Sequence, residues 1–464
     1  MKKFTSSQQP LIILLLTLLL TVSFSFLPKE STIFGLELKY IDMLIDIKQY
    51  EEPVIPSSSL NNAAEMKASI IDVDAFAKLI SDFISKEKLN EAINTLPAYL
   101  YGDLGQLSFF FDALKSVKTR GIRIAHYGDS AIEGDLISAE FRESLQSKYG
   151  GNSVGHLGIV SQDITFRTTT KHSFSPANTW EVASLYGPNP KNLPVGISGE
   201  IVIPKGNAWV KYEITRSQRS LKEFNSIRIF YTNAKASAIK VYFNESTTPK
   251  VVNLVAGADL KELLVKCDAP SKSVKIEFPL ADQAYFYGVS LENPVGLYVD
   301  NFPLRGNSGV DILKILPNTL KDYAKFVDYK LIVLEFGLNL AGKTDYSWYE
   351  REMGRVIGHL KTAYPKASIL MISVHDKAVK QGSNFVTDPS VLRLLETQKN
   401  IATKNNVALF NLFEAMGGNN SMGKWVTANP PLASKDYVHF NIYGAKRVAD
   451  MITQSLLDEF NKRK

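Results

Sequence analysis

The sequence predicts an α/β domain that is interrupted by an all-β module and preceded by an N-terminal membrane segment. After residue 300, apolar strands alternate with amphipathic helices, which predicts a parallel sheet covered on both faces. Between residues 199 and 292, short β-rich runs recur at near-regular spacing and are separated by turn residues, a pattern typical of a jelly-roll sandwich. Residues 10 to 28 are apolar, uncharged and near the length of a bilayer span.

The α/β pattern starts before the all-β module and resumes after it. A strand over 122–127 and a helix over 131–149 are predicted first, with Gly150-Gly151 ending the helix. The elements predicted after the module are a helix over 310–326, the strand KLIVLEF, a helix over 345–363, the strand SILMISV, a helix over 386–404, the strand VALFNL and a helix over 441–461. We therefore expect the module to be inserted into the α/β domain, whose first strand joins the later ones in one sheet.

These patterns divide the chain into five segments. They are a membrane anchor or signal peptide over 1–29, a stalk with amphipathic helices over 30–104, the first part of the α/β domain over 105–195, the β module over 196–298 and the second part over 299–464. Lys2 and Lys3 precede the apolar stretch, which predicts that the remainder is exported to the periplasmic or extracellular side of the cell envelope. No small-x-small cleavage pattern follows the stretch, so an uncleaved anchor is favoured over a signal peptide.

Composition excludes several functional classes. The net charge is only +6 without a long basic run, which argues against a nucleic-acid partner. The single cysteine, Cys267, excludes an intramolecular disulfide and a cysteine metal cage. The sequence has no phosphate-binding loop, H-E-x-x-H pattern or dinucleotide fingerprint, so no metal or organic cofactor is implied.

Gly128-Asp129-Ser130 follows the first predicted strand and opens a predicted helix. Ser130 is either a helix cap or a nucleophile, and open α/β sheets place their sites at the carboxyl ends of strands. A competing G-x-S-x-G match at 151–155 follows a helix where a strand is required, so Ser153 is a poor nucleophile candidate.

A serine nucleophile needs a base and an orienting carboxylate. Four of the six histidines lie within predicted elements or in loops without a matched carboxylate: His126, His156, His172 and His359. In Asp436-x-x-His439 the carboxylate can reach the imidazole Nδ1 from one turn, which makes His439 the favoured base. His375-Asp376 is the alternative, although neighbouring strand residues point apart.

Two further turns offer donors for an oxyanion hole. Asn339 in FGLNLAG follows a buried strand, and Gly306 in LRGNSG lies in a tight turn before a helix. Either residue is also explained as an ordinary turn residue.

Together, HYGDSAIEGD, RGNSG, EFGLNL and DYVHF resemble the four blocks of the SGNH/GDSL hydrolase superfamily. The resemblance implies a three-layer, flavodoxin-like domain in which Ser130 is the nucleophile, His439 the base and Asp436 the orienting acid. It also implies an oxyanion hole formed by the Ser130 N–H, Gly306 and Asn339. The first block and the inserted module look most like bacterial envelope peptidoglycan O-acetylesterases, with a module of carbohydrate-binding type.

The expected function is a serine esterase that removes O-acetyl groups from an extracytoplasmic polysaccharide, most simply peptidoglycan. The glycine-rich segment GGNNSMGKW suggests substrate contacts by Asn420, Ser421 and Trp425. Three alternatives stay open: a glycan O-acetyltransferase with the same triad, another lipase or thioesterase of the superfamily, and a non-catalytic glycan-binding protein.

Overall fold

The computed structural model describes residues 32–33, 36–37, 99–160, 167–279 and 283–463. Residues 97–464 form one compact unit. Before it, Thr32–Ile33 and Leu36–Glu37 pair as two short antiparallel strands. The membrane segment predicted over 1–29 and nearly all of the stalk lie outside the described residues. Among the residues described, no helix combines the length and apolarity needed to span a bilayer.

A six-stranded sheet forms the centre of the α/β domain. Its strands, in spatial order, are Gly296–Pro303, Gly121–Gly128, Tyr329–Glu335, Ser368–Ile372, Ala408–Phe410 and Leu100–Gly102. The first five are parallel and the last pairs antiparallel to its neighbour. The predicted strands thus share one sheet, and the strand before Ser130 lies among them.

Helices cover both faces of this sheet. They are Ser108–Leu114, Leu136–Tyr149, Pro317–Phe326, Ser347–Ala363, Pro389–Lys404, Leu412–Ala415, Ser421–Thr427 and Ile442–Lys462. Along the strand Tyr329–Glu335, Leu331 and Val333 pack into one apolar core, whereas Ile332 and Leu334 pack into the other. A strand that buries both faces explains its continuous apolar sequence and confirms the predicted α/β layering.

Two predicted helices are divided in the structure. The helix predicted over 131–149 is a 3-10 segment, Ser130–Asp135, followed by the α-helix Leu136–Tyr149. At the junction of the two segments, Gly134 and Asp135 have left-handed φ angles of 67° and 66°, and these angles interrupt the helical geometry. In the helix predicted over 310–326, the α-helix begins only at Pro317. Proline has no backbone N–H, so it fits the first turn of an α-helix but not its interior.

The β module is a sandwich of two antiparallel sheets. One contains Lys261–Ser271, Phe224–Thr232, Tyr285–Glu292, Glu200–Pro204 and Trp180–Ser184, with Gly155–Leu157 also paired to Tyr285–Glu292. The other contains Lys250–Leu254, Ser237–Phe243, Ser273–Glu277, Trp209–Ile214 and Thr170–Phe174. Three of these strands lie before residue 196, the predicted start of the module. They were not predicted because their sequences are short and do not alternate clearly between apolar and polar residues.

The sandwich and the α/β domain share an apolar core. Tyr323 of the helix Pro317–Phe326 packs against Phe230 and Tyr287 of the sandwich, with ring centroids 5.4 and 6.0 Å away. Buried Arg123 at the start of the central strand pairs with Glu292 of the sandwich at 2.6 Å. These contacts hold the two parts in one arrangement.

Candidate active site

Ser130 lies immediately beyond the central strand Gly121–Gly128, at the carboxyl edge of the parallel sheet. The capping bond is made by its neighbour, since Asp129 Oδ1 accepts a hydrogen bond of 3.0 Å from the Ala131 N–H. Asp129 therefore satisfies the start of the 3-10 segment, and the Ser130 hydroxyl can contact another group.

His439 and Asp436 complete a chain of three side chains with Ser130. The Ser130 Oγ lies 3.3 Å from His439 Nε2, and Asp436 Oδ2 accepts from His439 Nδ1 at 2.7 Å. Asp436 Oδ1 also accepts from the N–H groups of Val438 and His439 at 2.9 and 3.0 Å. This order of contacts suits transfer of a proton from Ser130 to an imidazole whose tautomer is set by a carboxylate.

The electrostatic environment favours the ionised form of Asp436. Partial burial raises the pKa of this carboxyl, but its hydrogen bonds from His439 and the backbone outweigh that effect and lower the pKa below its usual value. The carboxylate is therefore available to stabilise a positively charged imidazole.

The alternative histidine, His375, does not face Ser130. Its Nε2 donates to the Val438 carbonyl at 2.8 Å, and its ring packs against Phe440 at a centroid distance of 4.4 Å. Burial lowers the pKa of His375. It supports the loop that carries His439.

Two further residues are the candidate oxyanion donors predicted from the sequence. Gly306 has a left-handed φ of 71° and faces open space. The exposed Asn339 donates through Nδ2 to Asp129 Oδ2 at 2.9 Å and to the Asn307 carbonyl at 3.0 Å. Ser130 is the first residue of its 3-10 segment, and such a residue has no intrahelical acceptor for its N–H. The oxyanion hole of Ser130, Gly306 and Asn339 stays a prediction.

A buried polar network that the sequence analysis missed lies beneath Ser130. His126 Nε2 lies 3.0 Å from Glu335 Oε2, and its Nδ1 lies 2.9 Å from the Ser138 hydroxyl. That hydroxyl donates to Asn301 Oδ1, and Asn301 Nδ2 donates to the Ile132 carbonyl. The signal in the sequence was Glu335, a carboxylate at the end of an otherwise apolar buried strand.

Asp129 is a second residue whose role the sequence analysis missed. It is buried, and burial raises its pKa to about 7 against the lowering effect of the Ala131 N–H, with the nearby Glu335 raising it further. A carboxyl group with such a pKa changes protonation near neutral pH.

The residues expected to contact substrate in GGNNSMGKW differ in accessibility. Ser421 and Trp425 are buried, and the Trp425 Nε1 donates to the Met416 carbonyl at 3.1 Å. Their burial leaves no side-chain surface for a polysaccharide, so these two assignments do not fit the structure. Asn420 is exposed, but its Oδ1 accepts from the Thr387 N–H at 3.0 Å.

The cleft next to Ser130 is small. Its volume is about 180 Å³, and its lining includes Glu133, Thr168 and Ile442. Arg305 Nη1 lies 3.3 Å from Oε2 of Glu133, one of the residues that line this cleft.

Comparison with solved structures identifies the fold. A structure described as "Peptidoglycan O-acetylesterase in action, 5 min" superposes with a TM-score of 0.66 at 18% identity, covering 78% of this chain and 99% of that one. An acetyl xylan esterase, AlAXEase, gives a TM-score of 0.27 at 20% identity, covering 34% of this chain and 79% of that one. A family two carbohydrate esterase from Cellvibrio japonicus gives 0.24 at 11% identity, covering 64% and 99%. No protein-family model and no curated protein matches the sequence.

Ser130, His439 and Asp436 are in contact in the order of a Ser-His-Asp triad, within a fold shared with the first of these structures. The first of these similarities confirms the predicted fold, whereas the superfamily relationship suggested by the four sequence blocks stays a prediction.

Proposed function

We propose that this protein is a serine esterase that removes O-acetyl groups from an extracytoplasmic glycan, with peptidoglycan as the natural substrate. The observation that carries the proposal is the continuous contact from Ser130 Oγ to His439 and from His439 to Asp436 at the carboxyl edge of the sheet. A 3.3 Å contact is long for a catalytic hydrogen bond, but such bonds tighten when substrate binds.

In the proposed reaction, Ser130 Oγ attacks the ester carbonyl while His439 Nε2 takes its proton. The N–H groups of Ser130 and Gly306 and the Asn339 amide stabilise the oxyanion. The carbonyl re-forms as the glycan hydroxyl leaves with the proton from His439, which yields acetyl-Ser130. Water then attacks this ester with His439 again acting as base, and acetate and free Ser130 are released.

The choice of an acetyl ester rests on the size of the cleft. A volume of about 180 Å³ accommodates an acetyl group, whereas a lipase or thioesterase requires an apolar groove for a longer chain. The choice of peptidoglycan rests on the fold shared with the peptidoglycan O-acetylesterase structure and on the apolar stretch at residues 10–28, which favours export with attachment to the membrane.

The test combines active-site labelling with acetate release. A fluorophosphonate should label Ser130 in the wild-type protein, and acetate should be released faster from O-acetylated peptidoglycan than from acetylated xylan. Ser130→Ala should lose both the label and the release. Ser153→Ala is the matched control, because Ser153 lies in the competing G-x-S-x-G match but is buried and bonded to the Leu291 carbonyl at 2.6 Å.

Each alternative has its own outcome. Absence of label on a folded wild-type protein would favour the non-catalytic glycan-binding alternative. Acetate transfer to an added sugar that outpaces release to water identifies an acetyltransferase.

A further inference from the structure

A small β-hairpin lies against the loop that carries Asp436 and His439. Its strands are Ala378–Gln381 and Asn384–Thr387. Near the tip of the hairpin, the Phe385 ring stacks on Tyr437 with centroids 3.6 Å apart and planes inclined by 6°. The two rings lie face to face and cover part of each other's apolar surface.

The base of the hairpin is joined to the body of the domain. The Thr387 N–H donates to Asn420 Oδ1 at 3.0 Å, and the Asn420 N–H donates to Thr387 Oγ1 at 2.7 Å. The hairpin strand that carries Phe385 is therefore fixed to the domain at its base, and the Phe385 side chain extends from it towards Tyr437.

Tyr437 has an unusual backbone conformation. Its φ angle is 60°, in the left-handed region that costs free energy for a bulky residue. It directly follows Asp436, and the turn it makes allows Asp436 Oδ1 to accept from the N–H groups of Val438 and His439. The conformation of Tyr437 consequently sets the distance between the carboxylate and the imidazole.

The turn is held by the backbone of the hairpin and by one side chain outside the hairpin, that of His375. The Tyr437 carbonyl accepts from the Ala378 N–H at 3.1 Å, and the Val438 carbonyl accepts from His375 Nε2 at 2.8 Å. The stack with Phe385 holds the Tyr437 side chain itself. It is an exposed contact, since Phe385 keeps 39% of its surface accessible.

We propose that Phe385 is a positioning residue that acts through Tyr437. By holding Tyr437 in the left-handed conformation, it keeps His439 directed at Ser130. The inference rests on the proposed esterase function and adds to it a residue outside the four sequence blocks.

The principal test is Phe385→Ala assayed with p-nitrophenyl acetate, a substrate too small to need a glycan-binding surface. We expect kcat to fall by about tenfold or more with KM little changed, because misplacement of a catalytic group by a fraction of an ångström has effects of this order. Phe385→Tyr keeps the stack and should restore kcat. Phe385→Leu keeps apolar bulk without the stack and should behave like Phe385→Ala.

A double-mutant cycle tests whether the effect passes through Tyr437. Tyr437→Gly permits the left-handed backbone but removes the stacked ring. If Phe385 acts through that ring, Phe385→Ala should cause no further loss of kcat in the Tyr437→Gly background. Equal losses in both backgrounds would overturn the inference.

Lys380→Ala is the control, because Lys380 is exposed and lies opposite Phe385 in the hairpin register. It should leave kcat unchanged, and thermal melting should show all variants folded. A normal kcat on the small ester with a raised KM on O-acetylated peptidoglycan would make Phe385 a glycan contact and refute positioning. Failure of the proposed function is seen separately, as esterase activity that survives Ser130→Ala.

Discussion

The nucleophile and the base are supported in opposite ways. Ser130 follows a buried strand, and one residue of that strand, His126, contacts Glu335 in the polar network below it. The side chains of His126 and Glu335 are only 0% and 6% exposed. Asp436 and His439 lie on a loop, with side chains 46% and 51% exposed. Packing and buried hydrogen bonds position the nucleophile, whereas hydrogen bonds of exposed groups, one bond from buried His375 and one aromatic stack position the base. Changes beneath Ser130 should therefore reduce stability, whereas changes in the loop should reduce activity alone.

The largest expected effect on activity tests the loop side of this comparison. Asp436→Asn should lower kcat by about 10⁴-fold, because an amide no longer stabilises the imidazolium or selects its tautomer. The melting temperature should change little, since both partners of the contact are largely exposed. Activity is measured with p-nitrophenyl acetate, and stability by thermal melting.

Asp450→Asn is the matched control for that variant, because the Asp450 side chain is equally exposed at 46% and pairs with Lys446 on the last helix. It should keep full activity. Strong destabilisation by Asp436→Asn would contradict the distinction between the two sides.

The largest expected effect on stability tests the buried side. Glu335→Ala removes one partner of the contact with His126, and leaving a buried polar group without its partner costs about 1–3 kcal/mol. Urea unfolding should show this loss in the free energy of unfolding, together with reduced activity in the folded fraction.

Glu335→Gln keeps a hydrogen-bonding group of the same shape and should be less destabilising. As a surface control, Glu396→Ala removes a carboxylate that is 67% exposed and should change stability by less than about 1 kcal/mol. A similar small change for Glu335→Ala would show that the network does not support the strand end.

Asn339 is itself exposed but donates a hydrogen bond to the buried Asp129. Asn339→Ala removes one proposed oxyanion donor and should lower kcat by about a hundredfold, equivalent to about 3 kcal/mol. It also leaves Asp129 Oδ2 without the donor found at 2.9 Å. Steady-state kinetics with p-nitrophenyl acetate provide the measurement, and Asn384→Ala at the exposed hairpin tip should have no such effect.

The smallest expected effect is a pH dependence of stability. The folded chain retains the Asp129 proton up to about pH 7, whereas the unfolded chain releases it near its ordinary pKa of 3.8. Between these values the folded state binds more protons, so this group makes stability fall as pH rises, by about 2 kcal/mol between pH 5 and pH 7. Asp129→Asn removes this titration and should flatten the slope of unfolding free energy against pH.

Replacing the exposed Asp259 by asparagine should leave that slope unchanged. The slope is the informative quantity, because asparagine also has one acceptor oxygen fewer and shifts stability equally at every pH. An unchanged slope in Asp129→Asn would show that Asp129 does not titrate near neutrality.

Much of the sheet could be predicted because its strands and helices have strong hydrophobic periodicity. The strand Tyr329–Glu335 buries both faces, so residues 331–334 are continuously apolar and the strand is easily recognised. The strands Gly155–Leu157 and Thr170–Phe174 were not predicted, because they are short and polar and depend on pairing with distant partners. Their structure is determined by tertiary contacts rather than by local sequence.

The candidate site divides in the same way. The Asp436-x-x-His439 spacing is local, and one turn brings the two groups together. The contacts of Asp129 with Asn339 and of Phe385 with Tyr437 join residues far apart in the chain, and no local pattern indicates them. Ser421 and Trp425 were misassigned because a glycine-rich sequence indicates a turn but does not indicate which side chains are buried.

The rings of Tyr323, Phe230 and Tyr287 form an aromatic core that joins the sandwich to the α/β domain. An inserted domain joined only by linkers can be lost or exchanged by recombination without harm to its host. Here the removal of the sandwich would expose the Tyr323 ring and leave Arg123 without Glu292. We therefore expect the insertion and its host to unfold as one cooperative unit, in a single transition.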